Sequence, residues 1–333
     1  MSLRTILAIV GLASAGLAIA VVVSLMAGAH WSSPLQVWQA LWSPSPTDVD
    51  DLLIRTTRMA RTLVALTVGA GLGVAGGIMQ TLTRNPLASP GLLGVNAGAL
   101  LVVVCLVTLG SGLPAWLASG GAFAGAALAA LAVWAIAMRP AAPSGPLRLI
   151  LAGAALSALF HAFSQALLVI DQQGLDTMLF WLAGSVAARP LTQVWPLMLV
   201  TLAALLACWP CLRQWNVLAA GEAVAVGAGI SVRRLQLISV VCVVLLAGAA
   251  VAMAGNIVFI GLIVPHLARR LAGPDHRHWL PLAALLGAML LLVADVMART
   301  LIPPREVPIG VMTALLGAPV FMALVRRQGG RHG

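Results

Sequence analysis

The stretch Thr62-Leu63-Val64-Ala65-Leu66-Thr67-Val68-Gly69-Ala70-Gly71-Leu72-Gly73-Val74-Ala75-Gly76-Gly77-Ile78-Met79-Gln80-Thr81-Leu82 runs for twenty-one residues without a charged side chain. As a helix it is about 30 Å long, the thickness of a bilayer's hydrocarbon core. Further apolar runs lie near residues 6–29, 93–110, 115–138, 147–170, 191–212, 235–256, 257–271, 280–298 and 308–325, which with 62–82 make ten. Of 333 residues 61% are hydrophobic and 8% charged, against roughly 25% charged in soluble domains. Such a chain cannot cover itself with a polar surface. The expectation is an all-α polytopic membrane protein of about ten transmembrane helices, one transmembrane domain over residues 1–333. The 6–29 run ends in Ala27-Gly28-Ala29, which resembles a cleavage site, but it is longer than a signal peptide's apolar region and reads as a retained first helix.

All nineteen basic residues are arginine. A phosphate-binding P-loop requires a lysine, so the chain is not itself a Walker-type ATPase. With an even number of spans and both termini cytoplasmic, thirteen arginines fall inside, with Glu222 and Asp275. Arg55, Arg58, Arg61, Arg189, Arg299 and Arg305 fall outside, with Asp48, Asp50, Asp51, Asp171, Asp176, Asp295 and Glu306. This is the positive-inside asymmetry, and it accounts for the net charge of +10 without nucleic acid. Cys105, Cys208, Cys211 and Cys242 sit in apolar runs; Cys208-Trp-Pro-Cys211 has redox spacing but lacks the βαβ context that gives it meaning. His30, His266, His276, His278 and His332 form no ligand constellation, so no metal site is expected.

An offset of 179 residues aligns Gly69 with Gly248, Gly76 with Gly255, Pro86 with Pro265 and Gly94 with Gly273. It gives ten identities over residues 61–94, where this composition yields roughly three by chance. The two copies, around 61–150 and 240–325, enter the membrane in opposite senses. Such an inverted repeat is a transporter's architecture. Gly69, Gly73 and Gly77 share one helix face, where another helix can approach closely.

Among the helix centres only His161 is ionisable; with Gln165 one turn on it is either a relay or a histidine hydrogen-bonded inside the bundle. Without an intramembrane relay the energy source is expected to be external. The segment 217–234 contains the small-residue run Gly221-Glu222-Ala223-Val224-Ala225-Val226-Gly227-Ala228-Gly229-Ile230-Ser231, then Arg233 and Arg234. It is too polar and broken to span and longer than a plain connection, and reads as a surface helix ended by glycine. Arg55, Arg58 and Arg61 recur every three residues near one helix face, as interfacial anchors or as a basic patch for an acidic partner.

Four segments together resemble the FecCD family of permease subunits: Asn85-Pro86-Leu87-Ala88-Ser89-Pro90-Gly91-Leu92-Leu93-Gly94, Phe259-Ile260-Gly261-Leu262-Ile263-Val264-Pro265-His266, Ala294-Asp295-Val296-Met297-Ala298-Arg299 and Pro308-Ile309-Gly310-Val311-Met312-Thr313-Ala314-Leu315-Leu316-Gly317-Ala318-Pro319. The resemblance implies the type II fold of an ATP-binding-cassette importer in the bacterial inner membrane. It implies a second permease subunit, identical or similar, two ATPase subunits that hold ATP and magnesium, and a periplasmic substrate-binding protein. This chain then binds no cofactor and catalyses no bond change.

By the same resemblance Gly221, Glu222, Ala223, Gly227, Gly229 and Arg233 couple to the ATPase, and Arg58, Arg61 and Arg299 receive the binding protein. Asn85, Pro86 and Leu87 narrow the cytoplasmic exit. The expected cargo is a ferric siderophore-type chelate, with ferric dicitrate suggested by Gln80-Thr81-Leu82-Thr83-Arg84-Asn85-Pro86 and Phe180-Trp181-Leu182-Ala183-Gly184-Ser185-Val186. Haem or vitamin B12 is the alternative within the family. An ion-coupled secondary carrier is the alternative on the inverted repeat alone.

Overall fold

The computed structural model describes all residues except 1, 29, 44, 46, 111–113, 138–145, 171–180, 188–189, 304 and 330–333. Arg139, Asp171, Asp176, Phe180, Arg189, Arg331 and His332, used in the sequence reading, lie outside the described residues.

The helices are α1 (Leu3–Met26), α2 (Pro34–Trp42), α3 (Val49–Leu53), α4 (Met59–Thr83), α5 (Val95–Leu109), α6 (Ala115–Ala137), α7 (Pro146–Ile170), α8 (Leu191–Cys208), α9 (Leu212–Ala220), α10 (Glu222–Gly227), α11 (Val232–Ala254), α12 (Ile260–Ala272), α13 (His276–Thr300) and α14 (Ile309–Gly329). A π-turn, Ile54–Arg58, joins α3 to α4. Each of the ten expected apolar runs coincides with a helix. Among the described residues seven helical stretches, residues 49–83 among them, are long and apolar enough to cross a membrane, and Val95–Thr108 and Ile309–Met322 are shorter apolar helices. The 257–271 run differs from a simple span: Gly255 (φ 73°) and Phe259 (φ 73°) break the chain, leaving the thirteen residues of α12, about 20 Å of helix.

The centre of the bundle is an antiparallel seam between α4 and α13. A Cβ on Gly69 would lie 2.3 Å from the Gly287 carbonyl oxygen, one on Gly73 2.5 Å from that of Ala283, and one on Gly77 2.7 Å from the Trp279 ring. Each step of four along α4 is met by a step of four in the opposite direction on α13. Within lipid, helices gain nothing from hiding apolar surface, so close backbone packing of this kind supplies the attraction. The face foreseen from Gly69, Gly73 and Gly77 is therefore this contact.

Neighbour relations exchange between the halves. α4 packs on α13 and α12, while α11 packs on α6 and α5; α5 contacts α6 and α7, as α12 contacts α13 and α14. Gly69, against α13, and its offset partner Gly248, against Phe123 and Ala126 of α6, occupy corresponding contacts.

Gly73→Leu is expected to cost about 1–3 kcal/mol through overpacking and to lower the unfolding temperature in detergent. Gly11→Leu, where an added Cβ meets nothing within 4 Å, is expected to leave it unchanged. Equal effects would contradict the seam.

Candidate functional site

The polar groups gather at the two ends of the seam. At one end Asp295, fully buried, lies between two guanidiniums: Arg61 Nη2 is 2.8 Å from Oδ1 and Arg299 Nη2 2.8 Å from Oδ2. Arg61 Nη1 also donates to Glu306 Oε1 at 2.7 Å, and Arg299 donates to the Ala27 carbonyl (3.0 Å) and Ser24 Oγ (2.7 Å). Buried charge is tolerated only when paired in this way.

Arg58 points elsewhere. Its Nη1 donates to the carbonyls of Leu25 (3.0 Å) and Met26 (2.8 Å) and to Ser32 Oγ (3.0 Å), and its Nη2 to the His30 carbonyl (3.0 Å). The three arginines expected to receive the binding protein are thus buried, at 6%, 7% and 6% exposure for Arg58, Arg61 and Arg299. Their burial has a simple cause: the end of α1 and the loop after it supply carbonyls, and α13 supplies a carboxylate. Arg58 is spent on internal acceptors. Arg61 alone holds a carboxylate that is itself about half exposed, that of Glu306. Arg55 and Arg305 remain exposed.

At the other end the last turn of α4 is held from three sides. Gln80 Nε2 donates to the Leu262 carbonyl of α12 at 3.0 Å, and Arg269 hydrogen-bonds Gln80 while its guanidinium lies 4.8 Å from the Trp279 ring centroid. Thr81 Oγ1 is 2.7 Å from His276 Nε2 on α13. Arg84, in the left-handed region at φ 50°, reaches Glu222 of α10 across 3.6 Å.

The structure therefore joins two sets of residues that the sequence left apart. Asn85, Pro86 and Leu87 follow Arg84 directly, and Asn85 Oδ1 accepts from the Leu87 N–H at 2.9 Å, tightening the turn. Pro86 and Leu87 are exposed. The 217–234 segment is built as expected at its surface: α10 exposes Glu222, Ala223, Val224, Val226 and Gly227 and buries Ala225. Gly221 at φ 139° opens the helix and Gly229 at φ 77° closes it. Arg233 and Arg234 are exposed beyond it.

Below α10, α9 is anchored by Trp215, whose Nε1 donates to Ser239 Oγ of α11 at 2.8 Å. Asn216 Oδ1 accepts from His276 Nδ1 (2.6 Å) and from its backbone N–H (2.8 Å), and Asn216 Nδ2 donates to Asp275 Oδ1 at 2.7 Å. Arg277, hydrogen-bonded to the Asp275 carboxylate, holds that carboxyl well below the usual range, and the Asn216 amide adds to the effect. Sequence reasoning did not single out Asn216 and His276, because the signal is a contact between residues sixty apart.

His161 differs from expectation. It is exposed on α7 and hydrogen-bonds no described residue, Gln165 included. Cys105, Cys208, Cys211 and Cys242 are free thiols. Among the described residues no group of three or more His, Cys, Asp or Glu could hold a metal ion.

The model of the FecCD transport family matches residues 16–327. The chain is 44% identical to YfiZ of Bacillus subtilis, a permease protein described for a siderophore transport system, over 92% of each chain. It is 39% identical to the ferric enterobactin transport system permease protein FepD of Escherichia coli, over 94% of this chain and 93% of that one. It is 39% identical to the hemin transport system permease protein HmuU of Yersinia pestis, over 94% of each. Among solved structures, a metal-chelate type ABC transporter in an inward-facing conformation superposes with TM-score 0.80 at 31% identity, covering 96% of this chain and 98% of that one.

Asn216→Ala strips the acceptor from two His276 donors and is expected to cost about 1–3 kcal/mol, read as a lower unfolding temperature in detergent. No change would mean that the α9–α13 link carries no load.

Proposed function

Because the chain belongs to the FecCD transport family, as a multi-pass permease subunit of an ABC importer whose ATPase activity lies in separate subunits, we propose that it carries a ferric siderophore-type chelate across the bacterial inner membrane. The observation that carries this reading is full-length identity with permeases named for siderophore, enterobactin and hemin transport. Ferric dicitrate stands as a narrower reading: the Fe(3+) dicitrate permease FecC is 39% identical over 86% of this chain, below the 44% of the siderophore relative.

In this reading the chain pairs with a second permease subunit, identical or similar, two ATPase subunits holding ATP and magnesium, and a periplasmic binding protein. Both termini lie in the cytoplasm. The exposed apolar and small residues of α10, with Gly221, Glu222, Ala223, Gly227, Gly229 and Arg233, form the surface the ATPase pushes. That push reaches the turn Asn85-Pro86-Leu87 through Glu222–Arg84, and reaches α13 through Asn216 and His276. The turn opens or narrows the exit.

At the far end the binding protein docks on the face around Arg61 and Arg299, and a partner carboxylate replaces Glu306 on Arg61. Arg58 supports that face from beneath by holding the loop after α1.

Reconstituted with its ATPase and binding protein, the chain should support ATP-dependent uptake of a ferric siderophore into vesicles. Uptake driven by an ion gradient through the chain alone would overturn the proposal. Glu306→Gln should tighten binding-protein association by up to about fivefold, the worth of one partly exposed ion pair. Unchanged or weaker association would reject the exchange. Arg84→Glu and Glu222→Arg should each lower uptake per ATP hydrolysed, and the double exchange should restore it; additive losses would reject that link.

A further inference from the structure

Two cavities meet where both repeats are broken. The smaller, about 270 Å³, is lined by Asn96, Ser157, His161, Trp181 and Asn256 beside aliphatic side chains. The larger, about 580 Å³, is walled mainly by Phe259, Ala314, Leu315, Ala318 and Met322. Both share Leu182, Asn256 and Val258, so Asn256 stands at their junction.

Asn96 lies on the first turn of α5 and Asn256 in the break before α12. Asn96 Nδ2 donates to Asn256 Oδ1 at 2.7 Å across 160 residues of sequence. The break is braced from behind: Ser185 N–H donates to the Ala254 carbonyl at 2.9 Å, and a Cβ on Gly255 would strike the Trp181 carbonyl at 2.4 Å.

An amide has two N–H donors and an acceptor oxygen. The Asn96–Asn256 bond uses one Asn96 donor and part of the Asn256 oxygen, leaving the Asn256 amino group and the Asn96 oxygen for a ligand. Ser157 and His161 add a hydroxyl and an imidazole. Among the described residues no carboxylate, guanidinium or ammonium side chain lines either cavity. In an apolar setting a bare cation or a strongly charged anion would meet no countercharge there and would bear the cost of desolvation. A ligand whose surface alternates oxygen atoms with hydrocarbon fits both parts: oxygens toward the amides and His161, hydrocarbon toward Leu315 and Met322. Discontinuous helices at a repeat interface are also where transporters build such sites.

We propose that Asn96, Asn256, Ser157 and His161 form a cargo-binding site for an uncharged, oxygen-rich metal chelate of the trihydroxamate kind. The proposal rests on the import reading above and names its cargo class and contacts.

The test uses the assembled permease–ATPase complex and two radio-iron probes, a neutral ferric trihydroxamate and anionic ferric citrate. Saturable binding of the trihydroxamate to the complex without binding protein is expected. Asn256→Ala and His161→Ala should each weaken it about tenfold, the loss of roughly one hydrogen bond, and lower uptake per ATP hydrolysed. His161 is exposed and makes no hydrogen bond to a described residue, so its variant keeps the test decisive if Asn256→Ala does not assemble.

Variants that bind the trihydroxamate as the wild type does, or a wild type that does not bind it, overturn the site. Uptake confined to ferric citrate overturns the neutral-chelate class. A wild-type complex that transports neither probe with ATP overturns the import reading itself; wild-type transport with unaffected variants removes only the site.

Discussion

Close approach of the α4 and α13 backbones is the constraint on which the rest of the structure depends. Gly69 and Gly287 leave each other no room for a Cβ, and the register they set runs the length of both helices. Two turns away it brings Arg61 to Asp295; in the other direction it brings Thr81 to His276. A slip of one residue would bury unpaired charge at one end and an unmet imidazole at the other, each costly where water is absent. The seam is held as much by its polar ends as by its glycines.

A rigid centre with polar ends assigns the remaining parts their work. The end near Gln80 and Thr81 meets α9, α12 and, through Arg84, α10, at a turn that continues into Asn85-Pro86-Leu87. The end near Asp295 meets α1 and Glu306. Between them, beside the seam, the break at Gly255–Phe259 interrupts the chain before α12 where backbone polar groups need protein or water around them. There the cavities open. In the importers of this family the ATPase activity lies in separate subunits.

Much of this was legible in the sequence, and physics explains the division. Apolar runs, the glycine face and the exposed 222–227 helix are local or periodic signals, and each has its counterpart in the structure. The fate of the arginines was not legible: Arg61 meets partners 234 and 245 residues away, and Arg58 is satisfied by backbone carbonyls that leave no mark on composition. The 257–271 run read as a span because its residues are apolar, yet its first turn is spent on the break at Gly255 and Phe259. His161 read as a relay or a hydrogen-bonded histidine because its neighbours are apolar, yet it is exposed and lines a cavity beside Asn96 and Asn256.

The central claim is that the α4–α13 seam stays fixed while the α10 surface moves against it. Spin-label distances in the assembled complex, between exposed positions Met59 and Arg277 along the seam and between Met59 and Val224 across to α10, test it directly. With and without ATP, the account predicts an unchanged Met59–Arg277 distance and a shifted Met59–Val224 distance. A seam distance that changes as much as the other would contradict it.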